Sequence, residues 1–204
     1  MICADRRWIF VHVQKTGGES IRTALGVELN DPHKHRTAAE LRANYGEAAW
    51  GDCYKFAFVR NPWDRLVSWW SMIDGLRPHF EAGEALNAFQ SYVLSRAKTF
   101  EEFLTECDGE IADTDGRKHI YRNQIDYLTD ESGDVIVDFI GRFERLQDDM
   151  DQVTRRIGID RVVLTRVNRS EHKSYREYYS QETAALVEDR YRRDLSVFGY
   201  CFGD

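Results

Sequence analysis

A chain of 204 residues, 42% hydrophobic and 31% charged, has the size and composition of one soluble α/β domain with a real core. Its net charge of −7 argues against general binding to nucleic acid or to an anionic membrane, so any anion must meet a locally concentrated site. No apolar run approaches the roughly 20 residues that span a bilayer, no secretory leader pattern opens the chain, and the four cysteines form no C-x-x-C pair; the expectation is reduced thiols in a cytoplasmic setting.

The first run, Trp8 to Val13, is apolar and rich in β-formers and predicts a buried strand. It delivers the chain into Gln14-Lys15-Thr16-Gly17-Gly18-Glu19, after which Ser20 to Leu25 can continue as a helix. A strand, a glycine-containing turn and an immediate helix suit a phosphate or sulfate, because turn N–H groups and the positive helix end converge on one point. Glycine lets backbone approach the anion, and Lys15 adds a mobile charge. The lysine precedes the glycine pair, which is not the nucleotide P-loop spacing. The plainer alternative is a corner in which Gly17 and Gly18 supply positive φ and Lys15 is solvated.

A polar loop from Asn30 follows, and Thr37 with Glu40 in capping-box spacing predicts a helix to about Tyr45. Tyr54 to Arg60 reads as a second buried strand, with Pro62 opening a helix to about Ile73. The middle is mostly helical, with amphipathic helices over 85–97 and 99–107, the second capped by Thr99. Residues 108–116 read as an exposed loop, and 119–128 are ambiguous. Asp134 to Phe143 includes a further strand, a helix covers about 146–157, and Arg161 to Leu164 is a short strand candidate. Ser180 caps a final helix to about Leu195, and Phe198-Gly199-Tyr200 packs back. Strands alternating with helices predict a single P-loop-like α/β domain, 1–204, with a central, mostly parallel sheet flanked by helices.

The second strand ends in Arg60-Asn61-Pro62-Trp63-Asp64-Arg65-Leu66-Val67-Ser68. A guanidinium at a strand end can grip a phosphate bidentately, and the Ser68 hydroxyl two helical turns on could join it. Trp63 and Leu66 read as packing residues. The alternative makes Arg60 a partner of Asp64 and Ser68 a surface residue.

Together the two segments resemble the sulfotransferase superfamily, in particular its carbohydrate-modifying branch. There a K-T-G-x-x-S loop binds the 5′-phosphosulfate of 3′-phosphoadenosine 5′-phosphosulfate (PAPS), and an R-N/D-P-x-x-R-x-x-S segment binds its 3′-phosphate. The first pattern stands here as Lys15-Thr16-Gly17-Gly18-Glu19-Ser20 and the second as Arg60 to Ser68. Weaker likeness runs through Asp138 to Glu144, Asn168-Arg169-Ser170 and the ending Tyr191…Asp194…Phe198-Gly199-Tyr200. Gln14 stands where the family commonly has proline, a change that removes no ligand.

The resemblance implies transfer of a sulfuryl group to an acceptor hydroxyl, on a saccharide, with 3′-phosphoadenosine 5′-phosphate (PAP) as product and no metal. Lys15 would stabilise the leaving phosphate. Thr16, Gly17, Gly18, Glu19 and Ser20 would give backbone N–H groups, with the Thr16 and Ser20 hydroxyls in support, and Arg60 and Ser68 would hold the 3′-phosphate. Asn168-Arg169-Ser170 could return a late basic loop to the nucleotide. For the base, histidine suits neutral pH. His35 is favoured, since it sits between the two motifs, where the resemblance places a base, and immediately precedes the Thr37-capped helix. His119 is the runner-up, with His33, the loop neighbour of His35, also open, and the carboxylate Glu19 is a distant third. His12 reads as a satisfied core residue, and His79 and His172 as exposed. A Mg²⁺-dependent phosphoryl transferase and a non-catalytic nucleotide-binding module are the competing readings. Trp69, Trp70 and Tyr92 could stack on a sugar or pack a core.

Overall fold

The computed structural model describes residues 2–3, 7–27, 34–113, 116–165 and 173–204. In chain order the elements are β1 (Ile2–Cys3), β2 (Trp8–Val11), α1 (Gly18–Leu25), α2 (Ala38–Tyr45), α3 (Glu47–Asp52), β3 (Tyr54–Val59) and α4 (Pro62–Asp74). Then come α5 (Arg77–Glu81), α6 (Ala88–Arg96), α7 (Phe100–Glu106), β4 (Ile111–Asp113) and β5 (Gly116–Lys118). Last are β6 (Phe139–Arg142), α8 (Leu146–Ile157), α9 (Gln181–Arg190) and α10 (Arg192–Phe198). The chain divides into two compact units, Met1–Arg60 with Gln124–Arg169, and Asn61–Asn123 with Ser170–Asp204.

The first unit holds the central sheet, in the order β1-β2-β3-β6. β2, β3 and β6 run parallel, and β1 is an antiparallel edge. The middle strands are continuous apolar runs, as expected of parallel strands covered on both faces. Alternate residues share a face, so Trp8 and Phe10 meet Phe56 and Phe58 there, packed with Ile21 and Leu25 of α1 and Met150 and Val153 of α8. Phe10 stacks on Phe56 at 5.1 Å, and each such buried ring contributes roughly 1.5–3 kcal/mol of transfer free energy. Gly141 on β6 makes room for this layer, since a Cβ there would lie 2.4 Å from the Phe58 ring. The Thr37–Glu40 capping box opens α2, with the Glu40 N–H given to Thr37 Oγ1 at 3.1 Å.

The second unit is built on α4, with Asn61 capping its first turn through the Trp63 N–H (3.1 Å) and proline at the first helical position. Trp63, Leu66, Trp69, Trp70 and Ile73 are buried in a cluster with Phe89, Val93, Phe100 and Phe103 from α6 and α7. That resolves Trp69 and Trp70 as core; Tyr92 packs at its edge, its hydroxyl accepting the Gly109 N–H at 2.9 Å. Arg65, fully buried, donates to the Arg122 carbonyl (3.2 Å) and to the Tyr191 hydroxyl (3.1 Å).

Several expected boundaries move. Within 134–143 only Phe139–Arg142 is strand. The ladder starts where the Asp138 N–H reaches the Lys55 carbonyl and the Asp138 carboxylate accepts the Lys55 N–H. Residues 161–164 form no strand: Gln147 of α8 satisfies their backbone, donating to the Val162 carbonyl and accepting the Leu164 N–H, both at 2.9 Å. Within 108–116 the chain pairs, β4 running antiparallel to β5, with a Lys118–Asp113 ion pair at 2.8 Å that is almost wholly buried. The last helix is interrupted at Tyr191, which leaves helical geometry (φ −104, ψ 19) with its ring buried beneath Arg65.

Candidate active site

Strand register brings three carboxyl ends together in the first unit. Val11 pairs with Ala57, and Val59 pairs with Arg142. The Lys15 turn therefore leaves β2 beside Arg60, which ends β3, and beside Phe143, which follows β6. Ligands of open α/β sheets sit at this edge.

The turn is built to present backbone. Lys15 has φ 68, an uncommon value for a residue with a side chain, and Gly17 has φ 83. Gly17 is the N-cap of α1, and no side chain caps that end, so the leading N–H groups keep their capacity for an anion. The Thr16 hydroxyl donates to the Val13 carbonyl at 2.9 Å. It ties the turn to the end of the run that leaves β2. Gln14 is buried and accepts from the Tyr127 hydroxyl at 3.3 Å, an interaction a proline could not offer.

Both glycines are also needed for space. A Cβ on Gly17 would lie 2.9 Å from Leu146 Cδ2, and one on Gly18 would lie 1.8 Å from His12 Nε2. Gly18 is glycine because the His12 ring occupies the volume of its side chain.

Arg60 is 6% exposed and held at several points. Its N–H donates to Gln124 Oε1 at 2.9 Å, and Gln124 Nε2 donates back to its carbonyl at 2.8 Å, so a side-chain amide extends the strand end. Its Nη1 donates to the Lys15 carbonyl at 3.3 Å, and the guanidinium carbon stands 4.0 Å from the centre of the Phe143 ring. A buried cation stacked on an aromatic face is a preorganised charge with little left to lose on binding an anion.

His35 lies half-buried on the segment before α2. Its Nδ1 is 3.3 Å from the His12 carbonyl, and the two rings stand 4.6 Å apart. A carbonyl can only accept, so Nδ1 carries the proton and Nε2 carries the lone pair, the tautomer a proton acceptor needs. His12 continues inward, stacked on Phe10 at 5.4 Å. It is not a satisfied core histidine: its buried Nδ1 has no hydrogen-bond partner among the described residues. Burial first, then the nearby charges of His35, Lys34 and Arg22, hold its pKa well below the ordinary histidine value. Glu19, in the first turn of α1, pairs with Lys34 Nζ at 2.5 Å and with Arg22 at 3.6 Å.

His119, in the second unit, has the opposite tautomer. Its Nδ1 accepts the Tyr121 N–H at 3.1 Å, so its proton sits on Nε2. Ser68 is buried on α4 in that unit. His79 pairs with Glu84 at 3.0 Å. His33, His172 and the Asn168-Arg169-Ser170 segment lie outside the described residues. Sequence reasoning missed Gln124 and Phe143 as partners of Arg60; Gln124 lies 64 positions away among the polar residues Arg122, Asn123 and Asp126, and no local pattern marks it. Among the described residues no group of three or more His, Cys, Asp or Glu could hold a metal, and no helix is long and apolar enough to cross a membrane.

An open, mostly parallel sheet whose strand ends carry an uncapped, glycine-bearing helix start and a buried arginine has the chemistry to hold an anion. The sequence model of the sulfotransferase family matches residues 1–201, and the chain belongs to that family. Sulfotransfer is therefore its general chemistry. No curated protein and no solved structure gives a significant match.

Proposed function

We propose that the chain moves a sulfuryl group from PAPS to a saccharide hydroxyl, releasing PAP. The observation that carries the reading is the direct contact of Arg60 with the Lys15 turn, two basic elements on one sheet edge that can serve opposite ends of a doubly phosphorylated nucleotide. Bound there, the donor supplies an activated sulfuryl group, whose bond to the bridging oxygen breaks as the acceptor oxygen bonds to sulfur. The α1 N–H groups hold the 5′ end, and Lys15 stabilises the charge left on the departing phosphate. Arg60 takes the 3′-phosphate, and the resemblance of the second motif adds the Ser68 hydroxyl to that role. His35 receives the acceptor's proton at Nε2. Positioning and preorganised charge supply most of the acceleration, as in phosphoryl transfer. The saccharide rests on the likeness of both motifs to the carbohydrate-modifying branch.

The test is turnover of PAPS across a saccharide panel by the wild type and Lys15→Ala. Sulfated product from the wild type and none from the variant is the expected result. Tight PAP binding with no turnover on any acceptor would replace the enzyme by a binding module.

A further inference from the structure

Glu19 stands in an unfavourable place for its charge. An acidic side chain in the first turn of a helix ordinarily complements the helix dipole. Here that turn is the one given to an anion, so the same carboxylate repels the ligand. It is half-buried, and its partners are Lys34 at 2.5 Å and the buried Arg22 at 3.6 Å. Lys34 immediately precedes His35, whose ring is anchored at 3.3 Å to the His12 carbonyl. The Glu19–Lys34 pair thus bridges the anion helix and the segment that bears the base, one residue from the base itself.

We propose that Glu19 is a positioning residue that tethers the His35 segment to the α1 N-terminus through Lys34, giving up some donor affinity to place the base. The inference rests on the reading of His35 as base. Its sign is unusual and measurable. A residue that merely stabilised the loop, or that held the donor, would weaken donor binding when changed. A tether that repels the donor would improve it.

The experiment measures kcat, PAP affinity by calorimetry and melting temperature for Glu19→Gln, Lys34→Met, the double variant, and Glu19→Gln in a His35→Ala background. Glu19→Gln should lower kcat about tenfold through a misplaced base while PAP binds about two- to fivefold more tightly without the nearby negative charge. Lys34→Met should show the same kcat loss with PAP bound no more tightly, and the double variant should lose no further kcat. In the His35→Ala background, Glu19→Gln should have no additional effect on kcat. An unchanged kcat in Glu19→Gln beside a crippled His35→Ala would overturn the tether alone. So would a fall in PAP affinity parallel to the fall in kcat. Full turnover by His35→Ala would instead overturn the base assignment, and the tether's purpose with it.

Discussion

The Arg60 guanidinium donates to the Lys15 carbonyl at 3.3 Å across 45 positions of sequence, so the two basic motifs are joined at one backbone atom. Arg60 therefore does two things: it offers charge, and it braces a turn whose lysine holds φ 68. Arg60→Ala should weaken PAP binding by about ten- to a hundredfold, the worth of a hydrogen bond to a charged group. The 3′-dephosphorylated nucleotide should lose much less. Arg60→Lys should not restore affinity, because an ammonium reproduces neither the fork nor the stack on Phe143. Calorimetry with the two nucleotides checks this; equal losses for both would remove Arg60 from the 3′-phosphate.

His35 differs from His119, the other candidate base, in what its Nδ1 touches. The His12 carbonyl fixes the proton on Nδ1, whereas the Tyr121 N–H fixes it on Nε2 of His119. His35→Ala should therefore reduce kcat by about 10²- to 10⁴-fold, the range for a lost general base, with PAP affinity kept. His119→Ala should leave kcat within a few-fold of wild type. Steady-state kinetics at saturating donor decide the matter, and the reverse pattern would move the base to the second unit.

Gly18→Ala is the sharpest steric test of the turn. The added Cβ would overlap His12 Nε2 at 1.8 Å, and that ring is boxed in by Phe10 and His35. Overpacking of this kind costs about 1–3 kcal/mol, with donor binding lost as the turn shifts. Removing the ring should relieve it, so Gly18→Ala/His12→Ala should be less destabilised than the sum of the two single variants. Denaturant melts of the four proteins measure the coupling; additive losses would mean that the His12 ring is not what excludes a side chain at Gly18.

What could be read without coordinates was what the backbone demands locally. The strand, turn and helix around Gly17 and the helix caps at Thr37 and Thr99 are each written within a few residues, and they stand as expected; at Thr99 the cap is a full box with Glu102. The mostly parallel sheet followed from the same alternation of elements, whereas its strand order and the edge strand β1 did not. What escaped depends on partners far along the chain. Gln124 meets Arg60 from 64 positions away, and Gln147 replaces the strand neighbour that residues 161–164 lack. The Gly18–His12 contact spans only six residues, yet no pattern marks it, because a histidine in an apolar strand looks the same whether or not a glycine makes room for its ring. The sequence pattern therefore reads His12 as satisfied, and its Nδ1 is not.

That orphaned nitrogen gives the last prediction. His12 stays neutral in the folded protein, since burial, and then His35, Lys34 and Arg22, depress its pKa. The unfolded chain takes up this proton near pH 6.5, so below that pH the unfolded state binds more protons than the native one and stability rises with pH. The contribution is therefore fully favourable above about pH 6.5 and is lost as the pH falls below it, with a slope of at most about 1.4 kcal/mol per pH unit until the folded pKa is passed. His12→Asn removes the titrating group. Urea melts between pH 7.5 and 5 should show the wild type losing more stability on acidification than the variant, whatever their difference at pH 7.5. Parallel pH profiles would mean that His12 is protonated in the fold as readily as out of it, which the closeness of Lys34 and Arg22 to a buried ring argues against.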